Sequence, residues 1–310
     1  MSASPLHLCL PATSANLGPG FDTLAIALNR YLEIEARVAE SFSIHAAGRG
    51  PEVCGSLERN LLLDVYRKTL AAQQREVPPL ALEVNNGIPL GMGCGSSAAV
   101  RLAGVALASH FGGLDWDRER ILAEATKFEG HPDNAAACWL GGFVAGCWDG
   151  TRIRAVSFPV PPEWRALVVL PEKPLATSAS RAVLPTSYER VDVVANLQRV
   201  AVLTAAFATG RGELIAEAMR DRMHQPYRSK ACPLLARLLP LSGTEGIFGV
   251  CLSGAGPAVL VLVDSAHAVE AVETRVLQKA SGLGTIEILR CEIDNRPAEV
   301  AAVPNTTLVT

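Results

Sequence analysis

The chain has 310 residues, 49% of them hydrophobic and 19% charged, with a formal net charge of −3. That much apolar sequence excludes a mainly disordered chain and leaves room for one large domain or two of ordinary size. The near balance of charge removes any general electrostatic reason to expect nucleic acid or an anionic membrane as partner, so an anion must be held by a local site.

Met1–Pro11 lacks the basic start and long apolar run of a secretory leader. The most apolar later stretch, Ala135–Cys147, is too short to span a bilayer and carries three glycines, which predicts a buried core segment. The eight cysteines (Cys9, Cys54, Cys94, Cys138, Cys147, Cys232, Cys251 and Cys291) are scattered, with no C-x-x-C pair. Reduced, mostly buried thiols in a cytoplasmic enzyme are expected, not a zinc site or a disulfide scaffold.

In chain order, Leu6–Leu10 alternates and predicts a strand broken by Pro11, followed by a turn-rich run to Gly20. Leu24–Leu28 and Tyr31–Val38 recover strand character, the second with Leu32, Ile34, Ala36 and Val38 on one face. Asn60–Leu70 predicts a helix, Ala81–Val84 a short strand, and Ser97–His110 a buried helix. Asp115–Phe128 is a further helix, with Asp115 or Asp117 as its cap. The loop Glu129–Asn134 interrupts the pattern before the apolar segment, and Pro159, Pro161 and Pro162 mark a boundary, dividing the chain into 1–158 and 159–310. Beyond it, Ala166–Leu170, Ile247–Cys251 and Ala258–Val263 predict strands; Val191–Ala208, Gly212–Met223 and His267–Ala280 predict helices.

The strongest local signal is the run Pro89, Leu90, Gly91, Met92, Gly93, Cys94, Gly95, Ser96, Ser97, Ala98, Ala99. Glycines at alternate positions open backbone conformations closed to other residues and remove the β-carbons that would block a ligand. The helix that follows presents unpaired N–H groups and the positive end of its dipole, which suits a phosphate. Ser96 and Ser97 can cap that helix, donate to phosphate oxygens or place a hydroxyl on Mg²⁺. Neither a P-loop Gly-Lys-Ser/Thr, nor a dinucleotide fingerprint, nor a Gly-x-Ser-x-Gly elbow is present.

Pro89–Ala99 resembles the central phosphate motif of the GHMP kinases, the family of galactokinase, homoserine kinase, mevalonate kinase and phosphomevalonate kinase. Pro11-Ala-Thr-Ser-Ala-Asn-Leu-Gly-Pro-Gly-Phe-Asp22 resembles the family's first motif, and Leu252–Val259 its third. Within the family, the first motif, Glu129–Asn134, Ala176–Arg181 and Asp221–Arg228 are similar to the homoserine kinase branch. One departure is Ala135-Ala-Ala137, where many members read Val-Ala-Pro.

The resemblance implies an α+β GHMP kinase fold. Residues 1–158 would form an ATP-binding domain like ribosomal protein S5 domain 2, with a left-handed crossover, and residues 159–310 a ferredoxin-like domain. ATP and Mg²⁺ are the implied cofactors, and L-homoserine is the implied phosphate acceptor. The partner is then a small molecule rather than nucleic acid or membrane, with a homodimer left open.

On the matching positions, Pro89–Ala99 would hold the phosphates, with Asn60 either at the adenine or as a helix cap. Ser97 and Glu129 would hold Mg²⁺, with Glu124 competing for the second place. Arg181 and Arg228 would grip the substrate carboxylate, Asp22 its ammonium or hydroxyl, and Asn16 would orient it. Asn16 and Asp22 equally suit a simple turn. His131 and Asn134 would line the pocket, and Asn134 stands where related GHMP kinases carry an Asp. An amide cannot remove a hydroxyl proton. Catalysis by Ser97, Glu129 and Asn134 would then rest on positioning, Mg²⁺ and N–H stabilisation of the moving phosphoryl group. Ser253–Gly256 would pack as a tight loop against the phosphate site or serve as a structural turn.

Overall fold

The computed structural model describes residues 3–174 and 177–303, so Ala176 of the arginine-bearing segment and residues 304–310 of the second half lie outside the described residues. Alternating apolar side chains build the first hairpin. Strands β1 (Leu6–Ala15) and β2 (Leu24–Val38) pair antiparallel from Leu6 opposite Ala36 to Ala15 opposite Ala25. Leu6, Leu8 and Leu10 are buried together with Leu32, Ile34 and Ala36, whereas Val38 at the strand end is 37% exposed.

Pro11 does not end its strand. The register shifts between Pro11 and Ala12, leaving Asn29 and Arg30 of β2 outside the ladder, and such an irregularity tolerates a residue that has no N–H to donate. The same shift makes the two predicted strands around Asn29 one bent strand.

Next come β3 (Ser43–Gly48), the short α1 (Pro51–Cys54), α2 (Leu61–Ala72) and β4 (Leu80–Asn86). β4 lies parallel to β3 and antiparallel to β2. Then follow α3 (Ser96–Phe111), α4 (Arg118–Glu129) and α5 (Asp133–Leu140), with β5 (Phe143–Trp148) and β6 (Ile153–Phe158) after them. Asp117, not Asp115, caps α4, accepting from the Arg120 N–H at 2.7 Å. The apolar run at Ala135–Cys147 is thus a helix, a glycine turn and a strand.

The second half contains β7 (Arg165–Pro171), α6 (Thr177–Ala182), α7 (Arg190–Thr209), α8 (Ile215–Ala218), α9 (Gln225–Arg228) and α10 (Pro233–Leu238). It continues with β8 (Ile247–Leu252), β9 (Val259–Val263), α11 (Val269–Ala280), β10 (Ile286–Glu292) and β11 (Glu299–Ala302). Its antiparallel sheet runs β10-β7-β9-β8, and along the chain helices lie between β7 and β8 and between β9 and β10. That order is the β-α-β-β-α-β ferredoxin-like arrangement. β11 pairs with β1, so the chain's last strand completes the first sheet.

The helix predicted over Gly212–Met223 shortens to a 3₁₀ turn and the single turn of α8. Beyond it the Asp221 carboxylate accepts from the backbone N–H groups of Met223, His224 and Gln225 at 2.8, 2.9 and 2.6 Å. A side chain that supplies these acceptors competes with the helical ladder and turns the chain.

Helix α7 is long and apolar enough to cross a membrane, by length and composition only. Its inward residues Leu203, Ala206 and Phe207 enter the core, while Val191, Val194, Leu197 and Val202 face outward. Phe207 stacks on Phe143 of β5 with centroids 4.3 Å apart and meets Trp164 edge-on at 5.5 Å, which clamps the second half onto the first sheet. Phe207→Ala is expected to lower the unfolding free energy by about 3–5 kcal/mol, measured by urea denaturation. A loss below about 1 kcal/mol would show that this contact does not hold the halves together.

Candidate active site

The glycine loop is held at its carbonyls. Cys94 C=O accepts from the Thr13 N–H at 3.1 Å, Met92 C=O from the Ala258 N–H at 3.2 Å, and Gly93 C=O from the Ser253 hydroxyl at 2.8 Å. Gly91, Gly93 and Gly95 have φ of 68°, 81° and 72°, the left-handed region. A β-carbon on Gly93 would strike the Ser253 carbonyl, and one on Gly95 the Thr13 hydroxyl. Ser253–Gly256 therefore does pack against this loop.

Gly95 is the N-cap of α3 and makes no side-chain cap bond. Of the three roles open to Ser96 and Ser97, capping is excluded, because both already lie inside the first turn of the helix. With no capping side chain, the first amides of α3 remain open to an outside anion. Ser97 instead donates its hydroxyl to Glu129 Oε1 at 3.0 Å. Arg101, one turn further along α3, pairs with the same carboxylate oxygen. Glu124 pairs with Arg120 and Lys127 at 2.7 and 2.9 Å on the surface of α4.

The Glu129–Asn134 loop is a sharp turn between α4 and α5, with Asp133 and Asn134 in the first turn of α5. Asp133 is 1% exposed, and its Oδ1 faces His131 Nδ1 at 2.5 Å and accepts from the Asn134 N–H at 2.7 Å. Thr13 donates to Asn134 Oδ1 at 2.7 Å, which fixes the amide beside Gly95. Burial opposes a charge on His131, but the hydrogen bond and charge of Asp133, supported by Asp22 and Glu129, outweigh it and raise the imidazole's pKa above 6.5. Asp133 was not singled out from the sequence. Its acid type at a helix start was the available signal, and its burial was not.

Asn16 and Asp22 adopt left-handed backbone, with φ of 70° and 56°. Asn16 donates to Gly254 C=O at 2.8 Å and accepts from the Asp22 N–H at 3.0 Å, so its amide ties two loops together. Asp22 forms a two-pronged pair with Arg181, at 3.0 and 2.6 Å. Arg228 is 2% exposed and, among the described residues, has no carboxylate at ion-pair distance. It donates instead to Ser180 C=O at 3.2 Å and to His224 Nδ1 at 3.1 Å. Both guanidinium carbons lie 5.3 Å from the centre of the Phe21 ring.

A cavity of about 210 Å³ gathers Asn16, Asp22, Gly91, Gly93, Cys94, Gly95, Ser96, Ser97, Glu129, His131, Asn134, Arg181 and Arg228, together with Asp133. A second cavity of similar size shares Ser96 and Ser97 with it and is walled by Leu32, Ile44, Val53, Leu61, Leu90 and Val100. Asn60 stands on that wall, but its amide caps α2 at Leu63 and donates to the Cys54 and Ser56 carbonyls. Pro89, Met92, Ala98 and Ala99 line neither cavity. No sequence signal marked the apolar wall, since its residues come from five separate elements and the glycine loop.

Ser97 and Glu129 place two hard oxygen donors side by side, chemistry that fits Mg²⁺. A further donor group, Asp22, His131 and Asp133, has ligand atoms within 4.8 Å of one another, but Asp22 is engaged by Arg181 and Asp133 by His131.

The family model described as the GHMP kinases N terminal domain matches residues 60–142, and that of the GHMP kinases C terminal matches residues 203–281. A homoserine kinase of Solibacter usitatus is 43% identical over 97% of this chain and 99% of its own length. One from Desulfitobacterium hafniense is 36% identical over 94% of this chain and 98% of its own. The crystal structure of a homoserine kinase from Cytophaga hutchinsonii superposes with a TM-score of 0.82, covering 96% of this chain and 98% of that one at 24% identity, a likeness of fold.

Because folded His131 titrates above 6.5, its contribution to stability is complete below that pH and is lost as the pH rises through the raised value. Asp133→Asn removes the neighbouring negative charge and should lower the His131 pKa, followed by NMR titration of the imidazole. An unchanged titration would place the cause elsewhere.

Proposed function

Since the chain belongs to the GHMP kinase family, we propose that it transfers the terminal phosphate of ATP to the hydroxyl of L-homoserine, giving ADP and O-phospho-L-homoserine, a step of threonine biosynthesis. One observation carries the reading. The open amide end of α3 and a buried guanidinium lacking an acidic partner among the described residues, Arg228, face the same cavity.

An amino-acid acceptor supplies what those groups lack. Its carboxylate suits the buried Arg228 and the more exposed Arg181, and its ammonium suits Asp22. The α3 amides and the carbonyl-anchored glycine loop receive the phosphates, and the apolar cavity beside Ser96 offers room for the nucleoside. Ser97 and Glu129 would hold Mg²⁺, which when bound offsets the phosphate charge. Asn134, held by Thr13 and unable to take a proton, orients the acceptor hydroxyl. The hydroxyl proton then leaves to phosphate or solvent, which a loose phosphoryl-transfer transition state permits.

Coupled measurement of ADP release should show turnover with L-homoserine and none with mevalonate or L-serine. Turnover with mevalonate instead would move the chain to another branch of its family, and none with any alcohol would indicate a nucleotide-binding regulator. Arg228→Ala should raise the homoserine KM by about 10- to 100-fold, the worth of a charge-assisted contact, and leave the ATP KM within about twofold. Equal rises in both constants would remove the carboxylate role. Glu129→Gln should lower kcat about a hundredfold and blunt its dependence on Mg²⁺ concentration, read from a metal titration of initial rates.

A further inference from the structure

His224 is fully buried at the start of α9, four residues before Arg228, and neither the phosphate site nor the nucleoside cavity uses it. Its Nε2 lies 2.7 Å from the Gly18 carbonyl and its Nδ1 3.1 Å from Arg228 NH1. A carbonyl only accepts and a guanidinium only donates. The imidazole must therefore donate at Nε2 and accept at Nδ1, which defines one neutral tautomer. Burial, with the Arg228 charge adding to it, holds the imidazole's pKa below 6.5 against the opposing pull of Asp221.

Few other contacts orient the guanidinium. Arg228 Nε meets Ser180 C=O, and the remaining contact of NH1, to Gly254 C=O, is long at 3.5 Å. His224 also stacks on Phe21, with centroids 5.3 Å apart and ring planes at 29°. Through Gly18 and Phe21 it grips both ends of the turn that delivers Asp22. The Asp221 carboxylate fixes the backbone that presents the ring, accepting from the His224 N–H at 2.9 Å.

We propose that His224 is a positioning residue for acceptor recognition: its imidazole sets the plane of the Arg228 guanidinium and couples that arginine to the turn carrying Asp22. The role deepens the amino-acid kinase reading and rests on it. It is specific to the acceptor, because no bond of His224 reaches the glycine loop or α3.

Two variants of the full-length protein separate the two ring nitrogens. His224→Asn keeps an acceptor near Nδ1 and loses the donor to Gly18, whereas His224→Gln keeps a donor near Nε2 and loses the acceptor for Arg228. The glutamine variant should raise the homoserine KM about tenfold and the asparagine variant about threefold or less, with the ATP KM within about twofold in both. Equal rises in both variants, a rise that follows the loss in Tm, or a matching rise in the ATP KM would each overturn the proposal. A ¹⁵N NMR measurement on the wild type provides a readout independent of catalysis and of variant folding. It should find the Nε2–H tautomer at neutral pH, and an Nδ1–H ring would refute the proposal. If wild type failed to turn over L-homoserine, the kinase reading would fall by itself, while the tautomer still decided the His224–Arg228 contact.

Discussion

The site depends on two close approaches that leave no space for a further β-carbon, Gly93 against the backbone of the Ser253 loop and Gly95 against the side chain of Thr13. At Gly93 and Gly95 the end of β1, the start of α3 and the Ser253 loop come within contact distance. The carbonyls of Met92, Gly93 and Cys94 are bonded to partners in the other two segments. The carbonyls are fixed on one side, while Gly95, Ser96 and Ser97 at the start of α3 line the cavity, a neutral helix end of the kind that suits an anion without any lysine. The two halves meet here as well, since Ser253 and Ala258 belong to the loop between β8 and β9.

Around that helix end, charge is kept in short, local balances. Glu129 is paired with Arg101, Asp22 with Arg181, and Asp133 with His131, whose ring balances the carboxylate when protonated. Each pair offsets the cost of taking a carboxylate out of water. Arg228 departs from the pattern, with carbonyls and an imidazole as its partners. Burying an unpaired guanidinium is costly, and burial holds its pKa below its ordinary value. On the proposed reading an anionic ligand would offset that cost, and Arg228 would supply affinity and selection together.

Much of the architecture was legible from period and composition. The alternation through Leu8, Leu10, Leu32 and Ile34 marked a half-buried hairpin, and the apolar runs at Ala166–Leu170 and Ala258–Val263 marked strands. Errors arose where a distant partner overrode local preference. Pro11 reads as a strand breaker, yet the register shift opposite Asn29 accommodates it. Gly212–Met223 reads as a helix until the Asp221 carboxylate takes three backbone N–H groups. Strands β3, β5, β6, β10 and β11 escaped notice because alternation in them is weak and their pairing supplies the order. A serine cap was one of the roles open on α3 because cap preference is local, whereas Gly95 holds that position because Thr13 leaves no room for a side chain.

By itself the sequence determined where the chain could take left-handed backbone, which segments had a face to bury, and which residue types were available for phosphate, carboxylate and metal. These properties belong to one residue or to a window of a few, so they can be read locally. Only the tertiary structure decided that Asp22 lies against Arg181, that Asp133 is buried under His131, that Asn60 spends its amide as a cap, and that an apolar cavity opens beside Ser96. Such pairings join groups separated by as many as 159 residues. Their energies depend on distance and on exclusion of water, and neither exists until the two sheets have packed.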